Sequence, residues 1–359
     1  MHKKTEINIL IYRIGSMGDI LISLPVLRYI KNLHPNASFF LLTNEPVNKK
    51  AALIEDILQG EFEFEEVLYY RINEKRLSIL YYLYNQIKKE KFSFLYYVMP
   101  ERGLFSKLRD FVFFKLSGIK KIVGLRLNLL FSNSKKEYRI PEALRLIKSI
   151  TNADIDLSNK YWWNLNLAKN EIQIVNYLLE TNKINNKYIV ICPGTKQEIK
   201  DWGMENWLEL IKLLNTKYAS RFSIIFIGSK DEKERCEKLL VNWKGKAINL
   251  CGLLEPRISA AILSKSILFI GHDSGPMHLA ASVNTPIIAI FSSRNLPIEW
   301  FPFGEKNKVF YTKIECMGCY LTECLQFNKA CIKEIKPSEV YNYLDYFFME
   351  NNKCTQDYI

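Results

Sequence analysis

Three short stretches carry residue types at spacings that suit chemistry. In Gly271-His272-Asp273-Ser274-Gly275-Pro276-Met277-His278, a β-rich apolar run ends in a polar turn, and a helix of small residues follows at once. Asp273 or Ser274 can cap that helix, and Pro276 suits its first turn. Free N–H groups and the positive end of the helix dipole make such a turn a seat for a phosphate, with Gly275 allowing close backbone approach. His278, one turn further on, can donate to the same anion or sit as a satisfied core histidine. The second stretch is Pro193-Gly194-Thr195-Lys196 with Lys200 beyond it. This is a strand-to-helix loop whose hydroxyl and ammonium groups can hold phosphate oxygens, unless its lysines are simply solvated. The third is Arg13-Ile14-Gly15-Ser16-Met17-Gly18-Asp19. Its carboxylate can accept a proton or cap the helix that begins at Ile20.

These stretches need strands to end where they begin. Ile7 to Tyr12 is a short apolar strand, and Ile20, Leu24, Leu27, Ile30 and Leu33 recur at helical spacing before Pro35. Ala37 to Leu42 is the next strand. The βαβ opening has glycines in its first loop but lacks GxGxxG, which counts against a dehydrogenase. Leu77 to Lys91 reads as a helix crowded with Tyr and Lys, Phe94 to Met99 as a strand, and Phe105 to Leu116 as an aromatic and basic helix. A second α/β series starts at Tyr188 and runs through the strands Tyr188–Cys192, Phe222–Ile227, Ala247–Leu250 and Ile267–Ile270. Both halves predict doubly wound parallel sheets, with ligands at the carboxyl ends of the strands. Asp19, Thr195, Ser229 and Asp273 fall at those ends. Expected domains are 1–165, a linker over 166–186, 187–335, and a C-terminal helix and tail over 336–359.

Composition narrows the class. The chain has 359 residues, 48% of them apolar and 25% charged, as in ordinary two-domain globular proteins. Nothing resembles a signal peptide or a membrane span, so the expected location is cytoplasmic. The net charge of +12 admits a nucleic acid, an anionic membrane surface or an anionic substrate as partner. The basic residues are scattered and no nucleic-acid motif accompanies them, so nucleic acid is not expected. A Lys- and Asn-rich composition explains part of the excess. Eight cysteines in such a chain do not read as a disulfide framework. Four of them, Cys316-x2-Cys319-x4-Cys324-x6-Cys331, have a spacing compatible with a structural zinc or with packed, reduced thiols.

In four blocks the sequence resembles the heptosyltransferases of glycosyltransferase family 9. They are Arg13-Ile-Gly-Ser-Met-Gly-Asp19-Ile-Leu-Ile-Ser-Leu-Pro25, Pro193-Gly-Thr195-x4-Lys200-Asp-Trp202, Gly271-His-Asp273-Ser-Gly275-Pro-Met-His278-Leu-Ala-Ala281, and Trp300-Phe-Pro302-Phe-Gly304 leading into the cysteines. Cys192 stands where many relatives have His, and Asn284 replaces a common Gly. The resemblance implies a GT-B fold, two Rossmann-like domains facing a cleft, with the last helix packed back on the first domain. It further implies inverting transfer, with no cofactor for catalysis, of a heptose from an ADP-sugar to a lipid-linked acceptor, the lipopolysaccharide inner core. The enzyme would then work at the inner face of the cytoplasmic membrane. Asp19 becomes the general base. Thr195, Lys196, Lys200, Ser229, Asp273, Ser274, Gly275 and His278 become donor-binding residues, with Glu232 near the nucleotide ribose and Leu253 as a wall for the base. The competing readings are a GT-B-like nucleotide-sugar epimerase and a non-enzymatic basic binding module.

Overall fold

The computed structural model describes residues 7–46, 53–72, 74, 76–127 and 140–356. The chain divides into two compact units, Met1–Asn166 and Leu167–Ile359.

The first unit runs β1 (Asn8–Tyr12), α1 (Met17–Ile22), α2 (Leu24–Leu33), β2 (Ser38–Asn44), α3 (Ile54–Leu58), β3 (Glu66–Tyr70), α4 (Leu77–Lys89), β4 (Phe94–Tyr97), α5 (Leu104–Leu116), β5 (Lys121–Val123) and α6 (Glu142–Ile150). The strands form one parallel sheet in the order β3-β2-β1-β4-β5. Helices cover both faces of such a sheet, so the central strands are near-continuous apolar runs; Ile9, Leu10 and Ile11 are wholly buried. The single helix read over Ile20 to Leu33 is in fact two. Pro25 has no N–H and its ring crowds the carbonyl one turn back, so the chain breaks at Ser23, and Pro25 opens α2.

The second unit runs α7 (Lys169–Thr181), β6 (Tyr188–Cys192), α8 (Met204–Tyr218), β7 (Ser223–Phe226), α9 (Lys233–Leu240), β8 (Ala247–Asn249), α10 (Pro256–Lys265), β9 (Leu268–His272), α11 (Gly275–Ser282), β10 (Ile287–Ile290), β11 (Lys308–Phe310), α12 (Ala330–Lys333) and α13 (Pro337–Gln356). Its parallel sheet has the order β11-β10-β9-β6-β7-β8. Strand order therefore reverses between β6 and β9 here, and between β1 and β4 in the first unit. Each reversal opens a crevice at the carboxyl ends of the two strands, the usual place for a ligand in this architecture.

Two expected boundaries are corrected. Residues 166–186 are not a linker. They contain α7, which packs on α10, and Arg257 Nη2 donates to Glu171 Oε2 at 2.9 Å in a buried pair. The described apolar face of the last helix packs within the second unit. Val340, Leu344 and Phe348 of α13 belong to the second unit's core, Phe348 lies 5.1 Å from the Tyr218 ring, and Asp345 accepts from Lys217 and Tyr218 on α8. The expectation rested on resemblance alone. Leu344 is fully buried, so Leu344→Ala should cost about 2–3 kcal/mol in denaturant unfolding of the second unit. A loss below about 0.5 kcal/mol would mean that α13 is not docked there.

Candidate active site

His272, the last residue of β9, organises the crevice of the second unit. It is fully buried. The Trp202 backbone N–H donates to its Nε2 at 3.1 Å, so that nitrogen is the acceptor. Nδ1 therefore carries the proton and donates to the Gly194 carbonyl at 3.2 Å. Burial pushes the imidazole down to about 4, against the upward pull of the Gly194 carbonyl and of Asp201. One neutral ring thus ties both ends of the loop from Gly194 to Trp202 to the end of β9. Trp207 packs edge-on against the ring at 5.4 Å, and Trp202 Nε1 donates to the Ile335 carbonyl at 2.8 Å. A second clamp holds the same loop. Arg235 on α9 forks onto Asp201 at 2.6 and 3.0 Å and donates to the Pro193 carbonyl at 3.0 Å. Burial opposes ionisation of Asp201, but the Arg235 fork holds its carboxyl below the usual range.

Lys200 and Asp273 are brought together, their charges 2.6 Å apart, and Lys200 Nζ also donates to the Asp273 carbonyl at 3.2 Å. Lys200 thus spends two of its three N–H donors on Asp273 and keeps a third. Ser274 takes the N-cap position of α11, but its hydroxyl donates back to the His272 carbonyl at 3.3 Å and makes no cap hydrogen bond. Pro276 has no N–H and that of Met277 donates to the Ser274 carbonyl at 3.1 Å, so the first turn has the Gly275 N–H to offer a ligand or solvent. Thr195 is half-buried at the start of the loop, whereas Lys196 is exposed. His278 is buried, its ring 6.3 Å from that of Trp300.

Glu232 lies between the ends of β6 and β7. A Cβ at Gly194 would fall 1.9 Å from its Oε1, and one at Gly228 would fall 2.2 Å from its Oε2. Only glycines leave room for the carboxyl. Ser229 caps the turn that follows, its N–H donating to Glu232 Oε2 at 2.6 Å. Burial pushes the carboxyl up, against the Ser229 N–H that favours its ionised form. Leu253 is 67% exposed at the rim beyond β8, so it can meet a ligand only from outside the core.

In the first unit, the loop after β1 holds Asp19 at the third position of α1. The cap is Ser16, not Asp19: the Ser16 N–H and hydroxyl donate to Asp19 Oδ2 at 2.7 and 2.9 Å, a capping box. Gly15 has φ +142°, and a Cβ there would lie 2.3 Å from the Asp19 Cβ. Its N–H donates to Asn44 Oδ1 at 2.7 Å, which ties the loop to the end of β2. The fully buried Arg13 donates to the Asp19 carbonyl at 2.6 Å and to the Val98 carbonyl at 3.2 Å, spanning the β1/β4 crevice. Its guanidinium stays 3.9 Å from Asp19 Oδ1. One carboxylate oxygen is thus spent on the cap, and the other is held partly exposed.

Of the two readings of the cysteine cluster, a zinc site and reduced thiols, the described residues do not form the first. Among the described residues no three His, Cys, Asp or Glu side chains converge to hold a metal ion. Cys331 is buried, whereas Cys316, Cys319 and Cys324 are only half-buried. Cys324 Sγ is occupied by the Lys329 N–H at 3.3 Å. Burial pushes the Cys331 thiol up, while the Lys329 N–H holds that of Cys324 down. Compatible spacing did not become converging sulfurs.

His272, Asp201, Arg235 and Arg13 carry no assigned role in the sequence reading. A polar residue at the end of an apolar strand was the only signal for His272 and Arg13, and Asp201 and Arg235, in a loop and inside α9, had none.

The model of glycosyltransferase family 9 (heptosyltransferase) matches residues 119–329. The chain belongs to this family. A lipopolysaccharide core heptosyltransferase, OpsX of Haemophilus influenzae, is 26% identical over 149 residues, covering 41% of this chain and 41% of that protein. The chain spans about two fifths of the length of the curated relatives it matches. A family 9 glycosyltransferase structure from Veillonella parvula superposes with a TM-score of 0.72 at 16% identity, over 96% of this chain and 97% of that one. The Escherichia coli ADP-heptose lipopolysaccharide heptosyltransferase II does so with 0.67 at 18% identity, over 96% and 100%. The two parallel sheets are thus those of the GT-B fold, as expected. The family match covers the Pro193–Trp202 and Gly271–Ala281 blocks and the cysteines at 316, 319 and 324, whereas Asp19 and Cys331 lie outside it.

Proposed function

We propose that this chain is an inverting glycosyltransferase that moves a heptose from ADP-heptose to the inner core of a lipopolysaccharide-type, lipid-carried acceptor at the inner face of the cytoplasmic membrane. The observation that carries the reading is the His272 staple. It sets Lys200, Asp273 and the start of α11, with the Gly275 N–H, on one crevice of a family 9 second unit. A fixed cation beside oriented N–H groups stabilises the charge that a departing diphosphate develops. Glu232, held between Gly194 and Gly228, accepts a ribose hydroxyl hydrogen bond, and Leu253 covers the base from the rim. Thr195 donates to a phosphate oxygen. Lys196 and His278 contribute less, the first by exposure and the second by burial. Asp19 takes the acceptor hydroxyl proton as that oxygen attacks the anomeric carbon and the bond to ADP breaks. Its capped position fixes the carboxylate in advance. The residues named supply these steps without a metal.

The donor half is tested by thermal shift. ADP-heptose should raise the melting temperature more than GDP- or UDP-sugars do, because a ligand bound only by the native state stabilises it. Lys200→Ala should weaken donor binding by about tenfold or more, since it removes a charge-assisted contact and leaves Asp273 unpaired. Equal stabilisation by all three donors would refute the ADP assignment. Isomerisation of the sugar without acceptor would replace transfer by epimerisation.

A further inference from the structure

Helices α4 and α5 both pack on one face of the first sheet, where Leu83, Ile87 and Phe114 join the core with Leu10 and Tyr97. Their outer faces are not the charged surface that a solvent-facing helix normally presents. On α5, Phe105, Leu108, Val112 and Leu116 follow one another at spacings of three and four residues on the side away from the core, with Phe105 89% and Leu116 68% exposed. The helix is therefore apolar on both sides. On α4, Leu77 is 81% exposed, followed by exposed Tyr81 and Tyr82.

The exposed charges within the two helices have one sign, although Glu90 and Glu101 stand beside them and pair with Lys89 and Lys107. Helix α4 contains no acid and ends in the exposed Lys88 and Lys89. Helix α5 contains one acid, Asp110, which is buried and accepts from Tyr97 at 2.8 Å, Arg102 at 2.8 Å and Arg109 at 2.7 Å. Arg109 and Lys115 flank the apolar stripe in the open. Apolar and tyrosine side chains that enter the acyl boundary, rimmed by cations at headgroup level, match an anionic bilayer surface in both polarity and charge. A second copy of the same face would set like charges against each other. Among the described residues no helix is long and apolar enough to cross a membrane, so attachment by these helices would be peripheral.

We propose that the outer face of α4 and α5, centred on Phe105, Leu108, Val112 and Leu116, docks the first unit on an anionic lipid surface. The proposal deepens the reading of a lipid-carried acceptor, and rests on it only in making a membrane the surface that is met. The test is flotation of the full chain with vesicles of phosphatidylcholine containing roughly one third phosphatidylglycerol, against phosphatidylcholine alone. The chain should float with the anionic vesicles, and less so at high salt. Phe105→Ser with Leu116→Ser should weaken this by about tenfold or more, and Arg109→Glu with Lys115→Glu by a similar factor. These sites are exposed, so the melting temperature and the ADP-heptose shift should not move. Transfer to a soluble, lipid-free acceptor fragment should persist in both variants, which separates loss of docking from failure of the transferase reading. Undiminished flotation of the variants, or equal flotation on both vesicles, would overturn the proposal. So would a concentration-dependent dimer that the same substitutions abolish in a chain that ignores vesicles.

Discussion

Replacing Asp19 by Asn should leave the fold intact and remove transfer. The amide oxygen can still accept from the Ser16 N–H and hydroxyl, so the capping box largely survives and the cost in stability should stay under about 1 kcal/mol. What is lost is a carboxylate able to take the acceptor proton. General base catalysis typically contributes 10²–10⁴-fold, so kcat should fall by about 10³. Donor affinity should not change, because the donor residues belong to the other unit. The measurement is initial velocity with saturating donor, with the melting temperature and the ADP-heptose shift as controls. Turnover within a few fold of the parent would remove Asp19 as the base, and a collapsed melting transition would assign it to the fold instead.

His272→Leu should damage the second unit more than any change in a donor residue. It strands the Trp202 N–H and the Gly194 carbonyl, both beside a residue with no access to water, and each orphaned group costs about 1–3 kcal/mol. A loss of about 3–5 kcal/mol in unfolding free energy is expected, with donor binding weakened because the Thr195–Lys200 loop is no longer tied to β9. The same staple predicts a pH dependence. In the fold the imidazole takes a proton only near pH 4, whereas an unfolded histidine takes one near 6.5. Between those values the unfolded chain binds more protons, so stability falls as the pH is lowered from about 6.5 to about 4, by roughly 3 kcal/mol at full extent. His272→Gln keeps an acceptor for Trp202 and cannot titrate. It should flatten that part of the difference between acid and neutral melting, although Asp201 and other carboxylates continue to contribute below pH 4. Parallel curves for parent and variant would show that His272 is not the group.

Much of this molecule could be read from local chemistry. Apolar runs such as Tyr188–Cys192 and Leu268–His272 announce buried parallel strands, and the polar turns after them mark the strand ends where ligands gather. Asp19, Thr195, Ser229 and Asp273 were singled out for that reason. They sit at the change from strand period to helix period, and neighbours in sequence define that change. The four blocks also sufficed to indicate family 9.

Partner choice at a distance was decided by the tertiary structure alone. Ser16, not Asp19, caps α1, because the loop turns at Gly15 with positive φ and brings the Asp19 carboxyl back onto Ser16. Lys200 meets Asp273, and His272 meets Trp202, only because β6 and β9 lie side by side where the strand order reverses. No periodicity encodes that adjacency. Helix α13 settled on α8 because its Val340, Leu344 and Phe348 fit the second unit's core, a question of surface shape and not of spacing. The cysteines illustrate the converse: a metal-compatible interval in sequence does not give, among the described residues, a group of side chains able to hold a metal ion. Spacing along a chain determines elements and their ends. The order in which strands are laid into a sheet determines which ends meet, and that order is a property of the whole fold.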